Sequence, residues 1–314
     1  MMKYKYIFGP VPSRRLGFSL GINNIPYKIC SYSCIYCQLG RTITYSVVRR
    51  PYGNPLKIVR EIRDIMSENV KIDFITFVPD GEPTLDSNIG STINMLKSEF
   101  EIPIAILTNS SLLWMEDVVE DLMDLDLVSL KVDTVVEGTW RRINRPHSSL
   151  DIDKILESLR DFSKIFKGEI ITETMLVREL NTHRDELEEI ARFLTSIKPV
   201  TAYISVPIRP PAEKWVRKPS EKDLVMAYEI FSRMLGKGSV ELLNLPESRD
   251  FQVHGDPIHY ILSTVRVHPL RYEYAVDILS KYGLDADAIL SMLVMQGRIS
   301  IVEYEGNRFI IAKV

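Results

Sequence analysis

The chain has 314 residues, 45% of them hydrophobic, and a formal net charge of −3 at neutral pH. This apolar content is sufficient for one large core or for two smaller domains. No apolar run approaches the roughly 18 residues of a membrane span, and the N-terminal segment lacks the apolar stretch of a secretory signal. We therefore expect a cytoplasmic protein with reduced cysteines and no membrane association.

Charge is distributed unevenly along the chain. Residues 1–60, called the basic segment below, contain ten Lys and Arg residues and no Asp or Glu, so the remaining residues carry −13. Such a segment predicts an anionic neighbour. That neighbour is either a large anionic partner or the protein's own thiolates together with an anionic cofactor.

The only three cysteines follow the first predicted strand, Phe18–Asn23, and lie within eight positions as Cys30, Cys34 and Cys37. An odd number of thiols cannot pair completely into disulfides, so the loop predicts a metal site. Structural zinc usually takes four ligands, and the first histidine, His147, is more than a hundred residues away. Three thiolates in one short loop favour an iron–sulfur cluster with one open iron position. A zinc-bound, non-enzymatic scaffold is the alternative.

Strand-like and helix-like patterns alternate after this loop. Nearly continuous apolar runs rich in Ile, Val, Thr and Phe indicate strands of a parallel sheet. With the first strand, they are Lys71–Val78, Pro103–Thr108, Leu127–Val132, Glu169–Val177 and Thr201–Val206. Apolar stripes at helical spacing predict the helices Leu56–Glu68, Ser87–Lys97, Trp114–Leu125, Asp151–Lys164, Arg184–Ile197 and Glu221–Leu235. Six such units predict an α/β fold, a partial (β/α)6 barrel.

The pattern changes towards the C-terminus, and we place a domain boundary there, with residues 1–238 in the barrel and residues 239–314 in a linker and small C-terminal domain. Three predicted helices (Ile258–Val265, Tyr272–Tyr282 and Ala286–Met295) precede a predicted hairpin of Arg298–Tyr304 and Phe309–Lys313. This order resembles a winged helix. Residues 255–314 contain six Lys and Arg against seven Asp and Glu, which favours partner docking or a structural role over a grip on duplex nucleic acid.

The segment Cys30-Ser-Tyr-Ser-Cys34-Ile-Tyr36-Cys37 resembles the CxxxCx(aromatic)C signature of the radical S-adenosylmethionine (SAM) superfamily. The resemblance extends over roughly residues 9–215. It implies a [4Fe–4S] cluster held by Cys30, Cys34 and Cys37, with SAM bound at the open iron and Tyr36 near the adenine. It also implies reductive cleavage of SAM to a 5′-deoxyadenosyl radical. A low-potential donor, ferredoxin or flavodoxin, would supply the electron.

Three further segments resemble SAM-binding motifs of that superfamily. Val78-Pro-Asp-Gly81-Glu82-Pro83 is similar to its Gly-Gly-Glu-Pro motif, with Asp80 in place of the first glycine. Asn109 follows the third strand, and Lys131 and Asp133 share one face of the fourth. The resemblance implies cofactor binding by Gly81, Glu82, Asn109, Lys131 and Asp133. Each also has a structural interpretation: a helix-start turn, a helix N-cap and a buried ion pair.

Within the superfamily, Gly9–Gly17, Cys37–Arg41 and Arg145-Pro-His147 resemble uncharacterised relatives of the archaeal wyosine-base synthase, which acts on tRNA. That synthase carries a second cluster, for which this chain has no remaining cysteine. We therefore expect a single-cluster enzyme with a different reaction. An activase that installs a glycyl radical on a partner enzyme, or another peptide-modifying or protein-modifying enzyme, is the alternative within the superfamily.

Cationic and aromatic side chains follow several predicted strands, where parallel α/β sheets bind ligands. They predict an anionic substrate, with RNA, a small metabolite and a peptide all left open. Alternatively, the arginines cap helices and pair with the acidic remainder of the chain. The candidate substrate contacts are Arg41, Arg141, Arg145, Arg209 and Trp215. Glu173 on the fifth strand is the candidate catalytic acid, or else the partner of a salt bridge.

Overall fold

The computed structural model describes residues 4–68 and 70–313. Up to residue 243 it alternates strands and helices. The strands are β1 (Ile7–Ser13), β2 (Gly17–Ile22), β3 (Ile29–Cys30), β4 (Thr44–Tyr45), β5 (Phe74–Phe77), β6 (Ile104–Thr108), β7 (Leu127–Lys131), β8 (Glu169–Met175), β9 (Thr201–Ser205) and β10 (Val240–Leu243). The helices are α1 (Pro55–Met66), α2 (Ile89–Glu99), α3 (Glu116–Leu122), α4 (Glu137–Ile143), α5 (Ile152–Ile165), α6 (Arg184–Ile197) and α7 (Glu221–Leu235). Two short 3-10 helices span Pro83–Leu85 and Lys237–Ser239.

Eight of these strands form one curled, open sheet, in the order β1-β2-β5-β6-β7-β8-β9-β10. Strand β1 is antiparallel to β2, and each later neighbour is parallel. The six predicted strands are its six central members, β2 and β5 to β9. The predicted α/β class and the partial barrel are therefore confirmed.

Both edge strands were missed by the sequence reasoning, for physical reasons. Strand β1 contains Pro10 and Pro12, which predict against a strand, but an edge position needs hydrogen bonds on one side only. Its register with β2 also shifts between Phe8 and Val11. Strand β10 has only four residues and lies beyond the domain boundary predicted at residue 238, so the main sheet continues past that residue. The division into two domains stays a prediction.

Helix α4, which follows the fourth predicted strand and includes the candidate substrate contact Arg141, was also missed. Buried Trp140 and Ile143 anchor the helix to the core. The helix has seven residues and includes Gly138, so its sequence carries little helical signal. The predicted apolar stripe of α6 is confirmed, because Leu187, Ile190, Phe193 and Leu194 are all buried.

The two faces of the sheet differ in chemistry. Leu20, Ile75 and Leu130 belong to the main core, which the helices cover. Alternation along the same strands turns other residues to the inner face. Six of those residues are polar and line a cavity: Ser19, Thr76, Ser129, Lys131, Glu173 and Ser205. The strands therefore bury both faces, one against helices and the other partly around this cavity.

The C-terminal residues form a compact unit of three helices and a small antiparallel sheet. The elements are α8 (Pro257–Val267), β11 (Leu270–Arg271), α9 (Tyr272–Lys281), α10 (Ala286–Met295), β12 (Ile299–Tyr304) and β13 (Asn307–Ala312). The sheet order is β11-β13-β12. The helices and the hairpin lie where the sequence predicts them, and the winged-helix-like assignment stays a prediction.

This unit packs against β1 of the main sheet. The hydroxyl of Tyr260 donates to the carbonyl oxygen of Pro10 at 2.5 Å, and Nε2 of His254 lies 2.7 Å from that of Gly9. Phe8 and Val11 join the apolar core of the unit. Within the described residues, no helix is both long and apolar enough to cross a bilayer.

We predict that Leu20→Ala destabilises the protein by about 2–5 kcal/mol, because Leu20 is fully buried at the centre of the main core. The matched control is Leu56→Ala, since Leu56 is 72% exposed on α1. Urea denaturation of both variants measures the difference in free energy of unfolding. Equal unfolding midpoints for the two would contradict the assigned core.

Candidate active site

The cysteine loop lies between β2 and α1 and is attached to several distant segments. The backbone N–H of Ser33 donates to the carbonyl oxygen of Asn144 at 2.9 Å, and that of Ile35 donates to Ile143 at 2.9 Å. The N–H of Glu213, after β9, donates to the carbonyl oxygen of Ile35 at 3.0 Å. Main-chain hydrogen bonds therefore hold the loop against the end of α4 and the loop that follows β9.

Each cysteine sulfur accepts a hydrogen bond from a side-chain N–H of a different segment. Nζ of Lys28 lies 3.2 Å from Sγ of Cys37. Nδ2 of Asn109 lies 3.5 Å from Sγ of Cys30, and Nδ2 of Asn144 lies 3.5 Å from Sγ of Cys34. Hydrogen bonds of this kind favour thiolate over thiol.

The three cysteines are free and half-buried. Burial raises the pKa of Cys30 and raises that of Cys34 to about 11, so without a metal these groups are neutral thiols at neutral pH. A bound cation would displace their protons. A donor set of three sulfurs, each facing an N–H group, fits a thiolate-ligated cluster. In the part of the chain that the structure describes, no group of three or more His, Cys, Asp or Glu is placed to hold a single metal ion.

Beside the cysteines lies a cavity of about 350 Å³ inside the curled sheet. The size suits a small ligand. Its lining includes Cys34, Cys37 and five other predicted site residues, namely Tyr36, Asn109, Lys131, Glu173 and Arg209. It also includes polar residues that were not predicted as site residues: Arg14, Arg15, Gln38, Glu247 and His268.

A connected charge network occupies the inner end of the cavity. Nζ of Lys131 lies 2.8 Å from Oε1 of Glu173 and 3.7 Å from Oδ1 of Asp133, and Arg15 forms an ion pair with Glu173. The Tyr36 hydroxyl donates a short hydrogen bond to Asp133. Burial lowers the pKa of Lys131, and the Asp133 charge opposes that effect. Asp133 itself lies behind Tyr36, so it positions that ring.

Gly81 and Glu82 lie behind the cysteine loop, and neither belongs to the cavity lining. A Cβ atom at Gly81 would overlap the carbonyl oxygen of Ile29, and the N–H of Glu82 donates to that oxygen at 3.1 Å. Asp80, in place of the motif's glycine, uses its carbonyl oxygen to accept from the N–H of Lys28 at 3.2 Å. The segment therefore pairs with the backbone that leads into Cys30.

The buried Glu82 carboxylate ties the ends of neighbouring strands together. It accepts hydrogen bonds from the Thr84 hydroxyl at 2.6 Å, the Thr108 hydroxyl at 2.7 Å and the Asn109 N–H at 2.8 Å. Burial raises the pKa of Glu82, and these donors work in the opposite direction. The carboxylate thereby orients Asn109, whose side chain reaches Cys30.

The predicted substrate contacts do not form one surface. Arg41 makes a two-point ion pair with Glu213, to which Arg145 also pairs, and Arg141 pairs with Glu137 on the same helix at 2.7 Å. Trp215 is 51% exposed and lies outside the cavity lining. Only Arg209 of the five lines the cavity, where its Nη2 lies 2.7 Å from Oε2 of Glu247. Pairing with acidic residues thus accounts for several of these cations.

Several site residues were not singled out from the sequence. Lys28 and Asn144 have no motif of their own, and their sulfur contacts depend on tertiary packing. Arg14 and Arg15 belong to the basic segment and to the Gly9–Gly17 resemblance, but neither was predicted as a site residue, and both line the cavity. Three more residues were missed because each lies far in sequence from the arginine it contacts: Glu213, Glu247 and His268.

The sequence model of the radical SAM superfamily matches residues 24–194. The chain is a radical SAM protein. This superfamily consists of enzymes, and the match includes all three cysteines and most of the central strands. The implied iron–sulfur cluster and SAM therefore agree with the donor set and the cavity described above.

Named relatives extend the match beyond this domain. The chain is 44% identical to UPF0026 protein MJ1312 of Methanocaldococcus jannaschii, over 96% of this chain and 94% of that protein. It is 34% identical to a UPF0026 protein of Synechocystis, over 69% of this chain and 78% of that one. A probable dual-specificity RNA methyltransferase of Fervidobacterium nodosum is 26% identical, over 68% and 60%. The radical SAM protein thus belongs with the UPF0026 proteins.

Solved structures agree on the fold. A radical SAM methyltransferase from Sphaerobacter thermophilus matches with a TM-score of 0.55 at 14% identity, over 72% of this chain and 66% of that chain. SuiB of Streptococcus suis, solved with S-adenosylmethionine, matches with a TM-score of 0.53 at 15% identity, over 70% and 49%. At this identity the similarity supports the partial barrel and nothing finer.

We predict that Gly81→Ala destabilises the protein by about 1–3 kcal/mol, because the added methyl group overlaps the Ile29 backbone. Gly138→Ala is the matched control. Gly138 is exposed on α4 with open space around it, so alanine there is neutral or stabilises by about 0.5–1 kcal/mol. Thermal and urea unfolding of the metal-free proteins compares them. Equal stability of the two variants would show that the Gly81 contact is not needed.

Proposed function

We propose that this protein is a single-cluster radical SAM enzyme that abstracts a hydrogen atom from an anionic substrate. The observation that carries this proposal is the set of three sulfurs, each facing its own N–H donor, beside a cavity lined by arginines and a lysine. The residues fit a cluster held by Cys30, Cys34 and Cys37. When bound, the reduced [4Fe–4S] cluster supplies one electron to SAM, whose cleavage releases methionine and a 5′-deoxyadenosyl radical that takes hydrogen from the substrate.

The chain's own residues would bind and orient SAM. Tyr36 and Asn109 line the cavity next to the cysteines, and Lys131 supplies a cation for a carboxylate. Asp133 and Asn144 hold the Tyr36 hydroxyl, which fixes the ring beside the cavity. Gly81 and Glu82 act from behind by shaping the loop. Glu173 lies between Arg15 and Lys131 and is the candidate for an acid that faces the substrate.

We propose RNA as the first substrate class to test, with tRNA as its example. Two observations support it: the cationic cavity, and the 26% identity to a probable RNA methyltransferase. An enzyme that acts on a base in RNA turns the target nucleotide out of its stack to bring it to the site. Phosphate contacts would then come from cations around the opening.

The electron would come from a low-potential donor such as ferredoxin or flavodoxin. Residues 41–50, next to Cys37, present Ile43 at 70% exposure and Val48 at 58%, together with exposed Arg50. Apolar side chains with a cation beside the cluster loop suit an acidic protein donor. We propose this segment as the docking site of the donor.

We predict that the anaerobically reconstituted protein binds iron and sulfide and releases 5′-deoxyadenosine from SAM in the presence of dithionite. Cys34→Ala is expected to lose the cluster and all of this product. Met295→Ala is the control, because Met295 is 82% exposed and far in sequence from the loop. Chromatography of 5′-deoxyadenosine and metal analysis decide the outcome. Zinc without iron would instead favour the scaffold, and a normal cluster spectrum in Cys34→Ala would refute the ligand assignment.

We predict that Lys28→Met lowers the reduction potential of the cluster while iron content stays near the wild-type value. The cation donates to Cys37 at 3.2 Å, so its removal makes the cluster environment more negative and reduction harder. Burial disfavours the Lys28 charge, but Cys37 outweighs burial and raises the pKa of Lys28, so the cation is present at neutral pH. Lys164→Met, on the exposed end of α5, is the matched control. A redox titration followed by electron paramagnetic resonance measures both; an unchanged potential in Lys28→Met would contradict the role.

We predict that tRNA binds the reconstituted protein and that its dissociation constant rises steeply with salt. If two phosphates are contacted, a fourfold increase in salt weakens binding by about tenfold. Filter binding at about 50 and about 200 mM salt measures the dissociation constant across a range in which this salt dependence holds. Binding that is undetectable or insensitive to salt would exclude RNA. Transfer of deuterium from a labelled candidate substrate into 5′-deoxyadenosine would identify the substrate independently of the binding measurements.

A further inference from the structure

The cavity lining holds a second group of charged residues, called its outer end here, besides the network of Lys131 and Glu173, called its inner end. The polar groups of the outer end come from four separate parts of the chain: Arg14 after β1, Arg209 after β9, Glu247 after β10, and His268 after α8. Nη2 of Arg209 lies 2.7 Å from Oε2 of Glu247 and 2.9 Å from Nε2 of His268, whose ring lies 3.2 Å from Oε1 of Glu247. We call these four residues the outer cluster.

The charges at the two ends of the cavity differ. At the inner end, Arg15 and Lys131 face the carboxylates of Glu173 and Asp133. In the outer cluster two guanidinium groups face one carboxylate. Burial lowers the pKa of His268, so its ring is neutral at neutral pH and does not change the net charge of the outer cluster. The outer cluster thus has one excess positive charge.

The excess charge resides on Arg14. Its Nη1 donates to the carbonyl oxygens of Leu243 at 2.6 Å and Leu245 at 2.8 Å, and these contacts fix the side chain at the cavity wall. Within residues 4–68 and 70–313 no carboxylate lies at ion-pair distance from Arg14. Burial lowers its pKa to about 10, which still leaves it charged at neutral pH.

We infer that the outer cluster binds an oxyanion of the substrate, a phosphate or carboxylate group, through Arg14 and Arg209. Guanidinium groups bind such oxygens through paired N–H donors, and partial burial strengthens the interaction. The amide of Gln38, 3.1 Å from Nη1 of Arg209, links this cluster to the cysteine loop. The rest of the substrate would then extend along the cavity towards the cysteines. The inference rests on the proposed function for its substrate, but not for the anion site itself.

The test measures anion binding to the reconstituted full chain by equilibrium dialysis with radiolabelled inorganic phosphate and, separately, acetate. We expect saturable phosphate binding that Arg14→Gln weakens at least tenfold. Arg60→Gln removes a positive charge from the exposed surface of α1 and is the control variant, which is expected to bind phosphate as the wild-type protein does. Lys131→Met removes a cation from the network with Glu173 and shows whether the anion binds there instead. Tighter binding of acetate than of phosphate would assign the site to a carboxylate substrate.

Arg14→Lys keeps a positive charge and a donor for the Leu243 carbonyl, so it should bind phosphate with intermediate affinity even if Arg14→Gln folds poorly. Any one of three results would overturn the inference. The wild-type protein binds neither phosphate nor acetate, both Arg14 variants bind phosphate as tightly as the wild-type protein, or only Lys131→Met loses binding. Release of 5′-deoxyadenosine needs no anion at this end. A protein that binds phosphate but leaves SAM intact would support the anion site and refute the proposed function. A protein that cleaves SAM but binds no phosphate or acetate would support the proposed function and refute the anion site.

Discussion

The backbone of Gly81 approaches the carbonyl oxygen of Ile29 so closely that no side chain fits between them. This contact fixes the residue next to Cys30 against the end of a sheet strand. The Glu82 carboxylate, buried one residue further on, holds the neighbouring strand end and the backbone of Asn109. One short segment therefore positions both a cysteine and the amide that donates to its sulfur. The segment that resembles the Gly-Gly-Glu-Pro motif acts here through backbone packing and a buried carboxylate, and neither Gly81 nor Glu82 lines the cavity.

The cavity depends on the alternation of side chains along the central strands. Large aliphatic side chains on one face pack under the helices, while the other face presents hydroxyls, Lys131 and Glu173. Small polar side chains leave space that aliphatic ones would fill. The curl of the sheet then encloses that space, and the cysteine loop and the C-terminal unit complete its wall through Cys34, Cys37 and His268. The same strands thus supply both the stability of the fold and the lining of the site.

Charge is balanced across long sequence distances. The acid-free basic segment predicted an anionic neighbour, either a large partner or the protein's own thiolates with an anionic cofactor, and several of its cations have partners within the chain. Arg15 pairs with Glu173, Lys28 donates to Cys37, and Arg49 pairs with Asp117 and Asp121. Arg14 differs, since its Nη1 donates to two carbonyl oxygens and no carboxylate among the described residues forms an ion pair with it. Internal compensation and the proposed anion site therefore fall in one segment, which its composition alone could not separate.

The sequence by itself determined the alternating α/β order, the three-cysteine signature and a few residues of the cavity lining, because each depends on local spacing or on residues within one element. Tyr36, Lys131 and Glu173 were identifiable for that reason. Tertiary structure alone decided which cations are paired, because Glu213, whose carboxylate Arg41 and Arg145 share, lies more than sixty residues from both in sequence. It also decided the edge strands and the N–H donors of Lys28 and Asn144, whose roles arise only when separate segments meet. Pairing between distant residues has no local pattern, so the sequence could indicate the chemistry of the site but not its charge.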